Sequence, residues 1–162
     1  MKEIYVKSVR KILGNLPELE KKLKVKISSK GGRLVISGNE VDEYFAERVL
    51  LALDFPFLME DALLLLNDDY MFNIVNIKSY TKRHDLDVIK SRIIGTKGKA
   101  LKVLRDLSNS FIVVKDNDVA IISRTDDFEK ALQGVISIIR GSKHGNVYTY
   151  LERGHKSQRK VR

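Results

Sequence analysis

Apolar positions along the chain follow two rhythms, and the same order of rhythms occurs twice. Val41, Phe45, Val49, Ala52 and Leu53 recur at three- and four-residue spacing, as do Phe128, Leu132, Val135, Ile136 and Ile139. That spacing gathers them on one face of a helix. A short apolar run precedes each set: Leu34-Val35-Ile36-Ser37 and Ala120-Ile121-Ile122-Ser123, which align at an offset of 86. The same offset brings Glu43 onto Glu129 and Val49 onto Val135, the mark of an internal repeat. Upstream, Val25 and Ile27 lead into Ser29-Lys30-Gly31-Gly32, and Phe111-Ile112-Val113-Val114 lead into Asp116-Asn117-Asp118. Both read as hairpins. Ile4-Tyr5-Val6 and residues 71–77 read as first strands, each followed by helical stretches. Asn39 with Glu40, and Thr125 with Asp126 and Asp127, supply caps and first-turn acids for the two long helices.

The order β-α-α-β-β-α therefore occurs twice. The expected fold is α+β: two tandem units, each a three-stranded sheet with helices on one face. The boundaries expected are 1–54 for the first unit, 55–69 for a linker with a short apolar helix after Pro56, 70–152 for the second unit, and 153–162 for a mobile basic tail.

Charge changes this picture. The chain of 162 residues carries +9, which points toward an acidic partner. Residues 78–105 hold nine basic and two acidic side chains, hence +7, whereas residues 106–151 give −1 and residues 152–162 give +4. On charge alone, a solvated basic face explains the excess as well as a binding surface does. With no cysteine, disulfides, thiol catalysis and Cys-ligated zinc are excluded. No apolar run is long enough to span a bilayer, and no signal peptide is visible, so a cytoplasmic location is expected. His84, His144 and His155 are scattered, which does not suit a zinc site. Asp68-Asp69 and Asp126-Asp127 fit helix caps or linkers better than a metal, and no serine has a visible His/Asp arrangement. The expectation is a binding protein without cofactor or metal, not an enzyme.

The candidate chemistry lies in Arg92-Ile93-Ile94-Gly95-Thr96-Lys97-Gly98-Lys99-Ala100-Leu101. It falls between two expected helices and inside the +7 segment. Glycine lacks a Cβ, so a sugar-phosphate backbone can approach closely, and it tolerates positive φ. Gly98 opens a helix, whose unpaired N–H groups and dipole favour an anion. Lys97 and Lys99 add charge there, and Lys102 and Arg105 follow one and two turns on. The pattern suits several consecutive phosphates. The competing reading is an ordinary helix–helix turn with a C-cap glycine.

These residues resemble the core of a type I KH domain. The resemblance implies that the Gly-x-x-Gly turn clamps about four nucleotides of single-stranded RNA. It also implies that Arg92, Ile94, Gly95, Thr96, Lys97, Gly98, Lys99, Lys102 and Arg105 form the RNA site, with one of Ile112, Val113 or Val114 lining the groove. A second stretch, Gly141-Ser142-Lys143-His144-Gly145-Asn146-Val147-Tyr148-Thr149-Tyr150-Leu151-Glu152, resembles the ending of the two-KH ribosome-assembly proteins, archaeal relatives of the eukaryotic partner-of-Nob factor. That family implies binding to small-subunit rRNA near its 3′ end during assembly and processing. It also implies contact with the Nob endonuclease and, further, with a translation initiation factor. His144, Gly145 and Tyr148 are then candidates for partner or additional RNA contact. His144 could instead cap the preceding helix. Tyr148 and Tyr150 could stack on bases or pack the last turn.

The first unit departs from the pattern. Val9-Arg10-Lys11-Ile12-Leu13-Gly14-Asn15-Leu16-Pro17 keeps one glycine and has proline at the second position. Gly14 and Gly95 are 81 apart, five short of the repeat, so more than a helical turn is missing. It reads as a degenerate unit, structural or partner-binding. The alternative function is a scaffold that recruits a processing endonuclease or initiation factor, with RNA contact incidental.

Overall fold

The computed structural model describes the backbone of residues 1–161 and the side chains of residues 1–154. The chain divides into two units, Met1–Tyr70 and Met71–Arg162.

The first unit contains β1 (Lys2–Tyr5), α1 (Val9–Leu13), α2 (Leu16–Leu23), β2 (Lys26–Lys30), β3 (Arg33–Ser37) and α3 (Glu40–Leu53). α4 (Met59–Leu63) and a 3₁₀ turn (Leu64–Leu66) follow, both packed against α3. The sheet order is β1-β3-β2, both pairings antiparallel. Ile4, Ile27, Leu34 and Ile36 alternate along their strands and are buried toward the helices. Gly31 and Gly32, at φ +59° and +78°, make the two-residue hairpin turn that matches strand twist. α3 starts as the sequence implies, with the Asn39 side chain accepting the Asp42 N–H at 2.8 Å.

The second unit opens with β4 (Tyr70–Asn76), then a 3₁₀ turn (Ile77–Tyr80), α5 (Leu86–Ile94) and a 3₁₀ turn (Thr96–Gly98). It continues with α6 (Lys99–Ser108), β5 (Phe111–Lys115), β6 (Asp118–Arg124), α7 (Thr125–Ile139) and α8 (His144–Val161). The sheet order β4-β6-β5 repeats that of the first unit and leaves β5 at an edge. Val75, Ile112, Val119 and Ile121 from the sheet meet Ile89, Ile93, Leu101, Leu104, Phe128 and Val135 from the helices. Each unit is thus a three-stranded sheet with helices on one face, the KH arrangement expected.

Three details differ from the sequence reading. First, the hairpins match at an offset of 85, not 86, because turns Gly31-Gly32 and Asp116-Asn117 both join strands paired up to the turn: Lys30 with Arg33, and Lys115 with Asp118. The left-handed residues that end α2 and α6, Lys24 and Asn109, obey the same offset. A one-residue slip in a strand exchanges its faces, and the core selects 85: Leu34 and Ile36 then match Val119 and Ile121. Second, α7 is preceded by Arg124, which makes no side-chain cap, while Thr125 is the first helical residue. Third, the segment after the last expected helix is itself a helix. α8 packs on α6 and α7 through Val147 and Leu151, and Gly134 lets Leu151 approach α7. The stretch 153–162, read as a mobile basic tail, continues α8 as far as Val161; its side chains from 155 on lie outside the described residues.

Candidate nucleic-acid interface

The turn between α5 and α6 has an unusual backbone. Gly95 stands at φ +75°, ψ 174°, a region essentially reserved for glycine. Lys97 follows at φ +54° and Gly98 at φ +74°. The two glycines serve different ends. A Cβ on Gly95 would lie 2.6 Å from the Ala100 Cβ and 2.8 Å from its nitrogen, so glycine here lets the turn close onto α6. A Cβ on Gly98 would meet nothing within 4 Å. Thr96 and Lys97 are exposed, so the turn is open to solvent.

Gly98 occupies the cap position of α6 and offers no side-chain oxygen to the first N–H groups of that helix. The first turn of α6 contains no acid. Unpaired donors and helix dipole together favour an anion at such a helix start. Lys97, Lys99 and Lys102 are exposed and have no acidic partner among the described residues. Ile94, 36% exposed, adds an apolar surface at the end of α5, whereas its neighbour Ile93 is fully buried. α6 packs against the edge strand β5. There Ile112 faces the core, Val113 is buried and Val114 is half-buried.

Two arginines grouped with these lysines in the sequence are engaged in the fold. The Arg92 guanidinium donates to the carbonyls of Ile138 (2.8 Å) and Ser142 (2.6 Å), tying α5 to the end of α7 and the turn beyond. Arg105 donates through Nε to the Ile112 carbonyl at 2.7 Å, which joins α6 to the edge of β5. His144 does not cap the helix before it. Its Nε2 donates to the Arg92 carbonyl at 2.7 Å, in the last turn of α5. Tyr148 lies half-buried beside it, ring centroids 6.0 Å apart, and burial raises its phenol pKa above 10.0. Gly145 and Tyr150 are exposed. The resemblance puts Arg92 in the RNA site and His144 among the candidates for partner or additional RNA contact. Neither type nor spacing reveals that they hold each other's helices.

The aspartate pairs have other occupations. Asp127 is buried, accepting from Asn109 at 3.2 Å and 3.9 Å from the Lys130 ammonium. Asp68 is highly exposed, 4.0 Å from Arg48. Among the described residues no three His, Asp or Glu side chains cluster as metal ligands would.

In the first unit the equivalent turn differs. Gly14 is right-handed (φ −66°), Asn15 bonds back to the Lys11 carbonyl at 2.9 Å, and Pro17 stands in the first turn of α2. No run of left-handed residues opens the helix there, so the Gly95-to-Gly98 geometry has no counterpart.

Comparison with known proteins agrees with the KH fold of the second unit. The family model for the second Pno1 KH domain, a eukaryotic-type KH domain (KH-domain type I), matches residues 71–156. A KH domain-containing protein of Methanocaldococcus jannaschii is 27% identical over 157 residues, covering 92% of this chain and 69% of the relative. The pre-rRNA-processing protein pno1 of Aspergillus fumigatus is 32% identical over 94 residues, 57% of this chain, and the match spans 37% of the fungal protein. Among solved structures, Dim2p from Pyrococcus horikoshii superposes with a TM-score of 0.84 at 28% identity, covering 94% of this chain and 98% of that one. The a/eIF2alpha–aDim2p–rRNA complex from the same organism matches with a TM-score of 0.86 at 28% identity, covering 96% and 94%. With over half its length matched by the Pno1 KH model, the chain belongs to the Pno1 family of type I KH proteins, alongside its archaeal Dim2p relatives.

Proposed function

We propose that this protein binds single-stranded RNA at residues 95–98 of its second unit, and that the RNA is small-subunit rRNA near its 3′ end during ribosome assembly and processing in the cytoplasm. The observation that carries the reading is the open turn at Thr96–Gly98, left-handed at Lys97 and Gly98, which leads into an uncapped, acid-free helix start flanked by Lys97, Lys99 and Lys102. Phosphates would lie on the N–H groups of that turn, and the bases would face Ile94 and β5, where their edges are read. Dim2p of Pyrococcus horikoshii, solved in a complex with rRNA, supports rRNA as the ligand. The role is that of a binding protein, not an enzyme, and it needs no cofactor.

The test is a double substitution, Thr96→Asp with Lys97→Asp, assayed by fluorescence anisotropy against a twelve-nucleotide RNA of the small-subunit 3′-end sequence. Binding should be steeply salt-dependent in the parent and lost in the variant. Unchanged affinity in the variant overturns the site.

A second reading has an observation of its own. The Dim2p complex also contains a/eIF2alpha, which supports a scaffold that brings an initiation factor, and the Nob endonuclease, to the rRNA. The first unit and the exposed positions around Gly145 are the surfaces open to such partners.

A further inference from the structure

The nine basic residues of 78–105 do not form one patch. Lys97, Lys99 and Lys102 surround the Gly-x-x-Gly turn. Arg92 and Arg105 donate to backbone carbonyls, and Lys90 pairs with Asp87 at 3.2 Å. The remaining three, Lys78, Lys82 and Arg83, stand with His84 at the opposite end of α5, all exposed. They line an open concavity of ≈ 480 Å³, completed by Asn117 from the β5–β6 turn. That turn is fixed there by the Ile77 N–H donating to the Asn117 carbonyl at 2.9 Å.

The acids nearby have partners of their own: in the β5–β6 turn, Asp118 accepts from the Asn76 side-chain amide at 3.2 Å, and Asp116 is also engaged. Asp85 is gripped by Arg83 through two bonds of 3.0 and 2.9 Å, and Asp87 is held by Lys90. Lys78 and Lys82 have no acidic partner among the described residues, so they present uncompensated charge on a concave surface. α5 has nine residues, about 13 Å at 1.5 Å per residue. That is within reach of a strand whose first four or so nucleotides lie in the KH groove.

We propose that this concavity is a second phosphate contact for the same RNA strand, with Lys78 and Lys82 as its main donors, extending the footprint beyond the nucleotides held at residues 95–98. The proposal rests on the RNA reading above and adds an exit from the groove toward the N-terminus of α5.

The test uses the full chain, the twelve-nucleotide RNA named above, and Lys78→Ala with Lys82→Ala. Affinity should fall on the order of tenfold, and the slope of log K against log salt should decrease by about 1.4, two single-strand charges at about 0.7 each. The melting temperature should not move, because both side chains are exposed. Hydroxyl-radical footprinting should show the protected stretch shortened at one end only. Unchanged affinity and footprint in this variant, alongside loss of binding in Thr96→Asp/Lys97→Asp, overturns the second contact and leaves the first site standing; the surface would then fit an acidic protein instead. Weaker affinity with an unshortened footprint also overturns it, as a bulk charge effect. If the unsubstituted protein does not bind the RNA, both readings fall.

Discussion

Arg92 and His144 brace each other's helices in opposite directions. The Arg92 side chain reaches from α5 to the carbonyls of Ile138 and Ser142, while the His144 side chain returns from α8 to the Arg92 carbonyl. The two bonds that charged Arg92 donates and the one its carbonyl accepts from His144 therefore hold the last turn of α5 in place, three residues before Gly95. Arg92→Ala should cost about 1.5–3 kcal/mol, since it leaves two part-buried carbonyls without their charged donor. His144→Ala should cost about 0.5–1.5 kcal/mol. Because the residues share one network, a double-mutant cycle by chemical denaturation should show coupling on the order of 0.5 kcal/mol or more; strict additivity would show the braces to be independent.

The two glycines of the turn should fail differently. Gly95→Ala combines a glycine-only backbone with a 2.6 Å approach to Ala100, and should destabilise by about 2–4 kcal/mol. Gly98→Ala has open space around its Cβ and carries only the left-handed cost, about 1 kcal/mol. Denaturant midpoints of the two variants would rank them; equal losses would contradict the division of labour.

Lys102 and Arg105 sit one turn apart but should separate cleanly. Lys102→Ala should lower the salt slope of RNA binding by about 0.7 and leave the melting temperature unchanged, its side chain being exposed. Arg105→Ala should lower the melting temperature, because it frees the Ile112 carbonyl at the edge of β5. Parallel anisotropy and thermal melts check both.

Tyr148 gives a pH signature. Burial raises its pKa above 10.0, so the folded state holds the phenol proton more tightly than the unfolded state. Its contribution is fully present below pH 10.0 and is lost as pH rises from there through the folded value. Tyr148→Phe keeps the ring beside His144 and should flatten this part of the alkaline limb in denaturation measured between pH 9 and 11, with the late-ionising phenol missing from the ultraviolet titration.

Much of the fold was legible because repetition is a property of sequence: two hairpins and two amphipathic helices recur in the same order. Register was less legible. Ile121 and Ile122 are both apolar and both buried, so letter matching could slide by one residue, and the two-residue turns had to decide. The sequence of α8 carries a signature but no helix signal, because His144, Gly145 and Asn146 give no helical period before Val147 and Leu151 dock. In the candidate site, exposed glycines and lysines carry their chemistry in their identity, so the turn is visible in the sequence. An arginine does not. Whether Arg92 faces a phosphate or a carbonyl depends on residues 46 and 50 positions away. Gly95, likewise, differs from Gly98 through the closeness of Ala100, which sequence alone does not show.

That separation along the chain bears on synthesis. His144 lies 52 residues beyond the carbonyl it holds, so the turn at 95–98 emerges from the ribosome long before its brace has been made. Contacts this distant in sequence close late and slowly. A nascent chain halted before residue 144 would carry the glycines and lysines of the proposed RNA site without their finished geometry, and the proposed binding would arrive only with nearly the whole second unit.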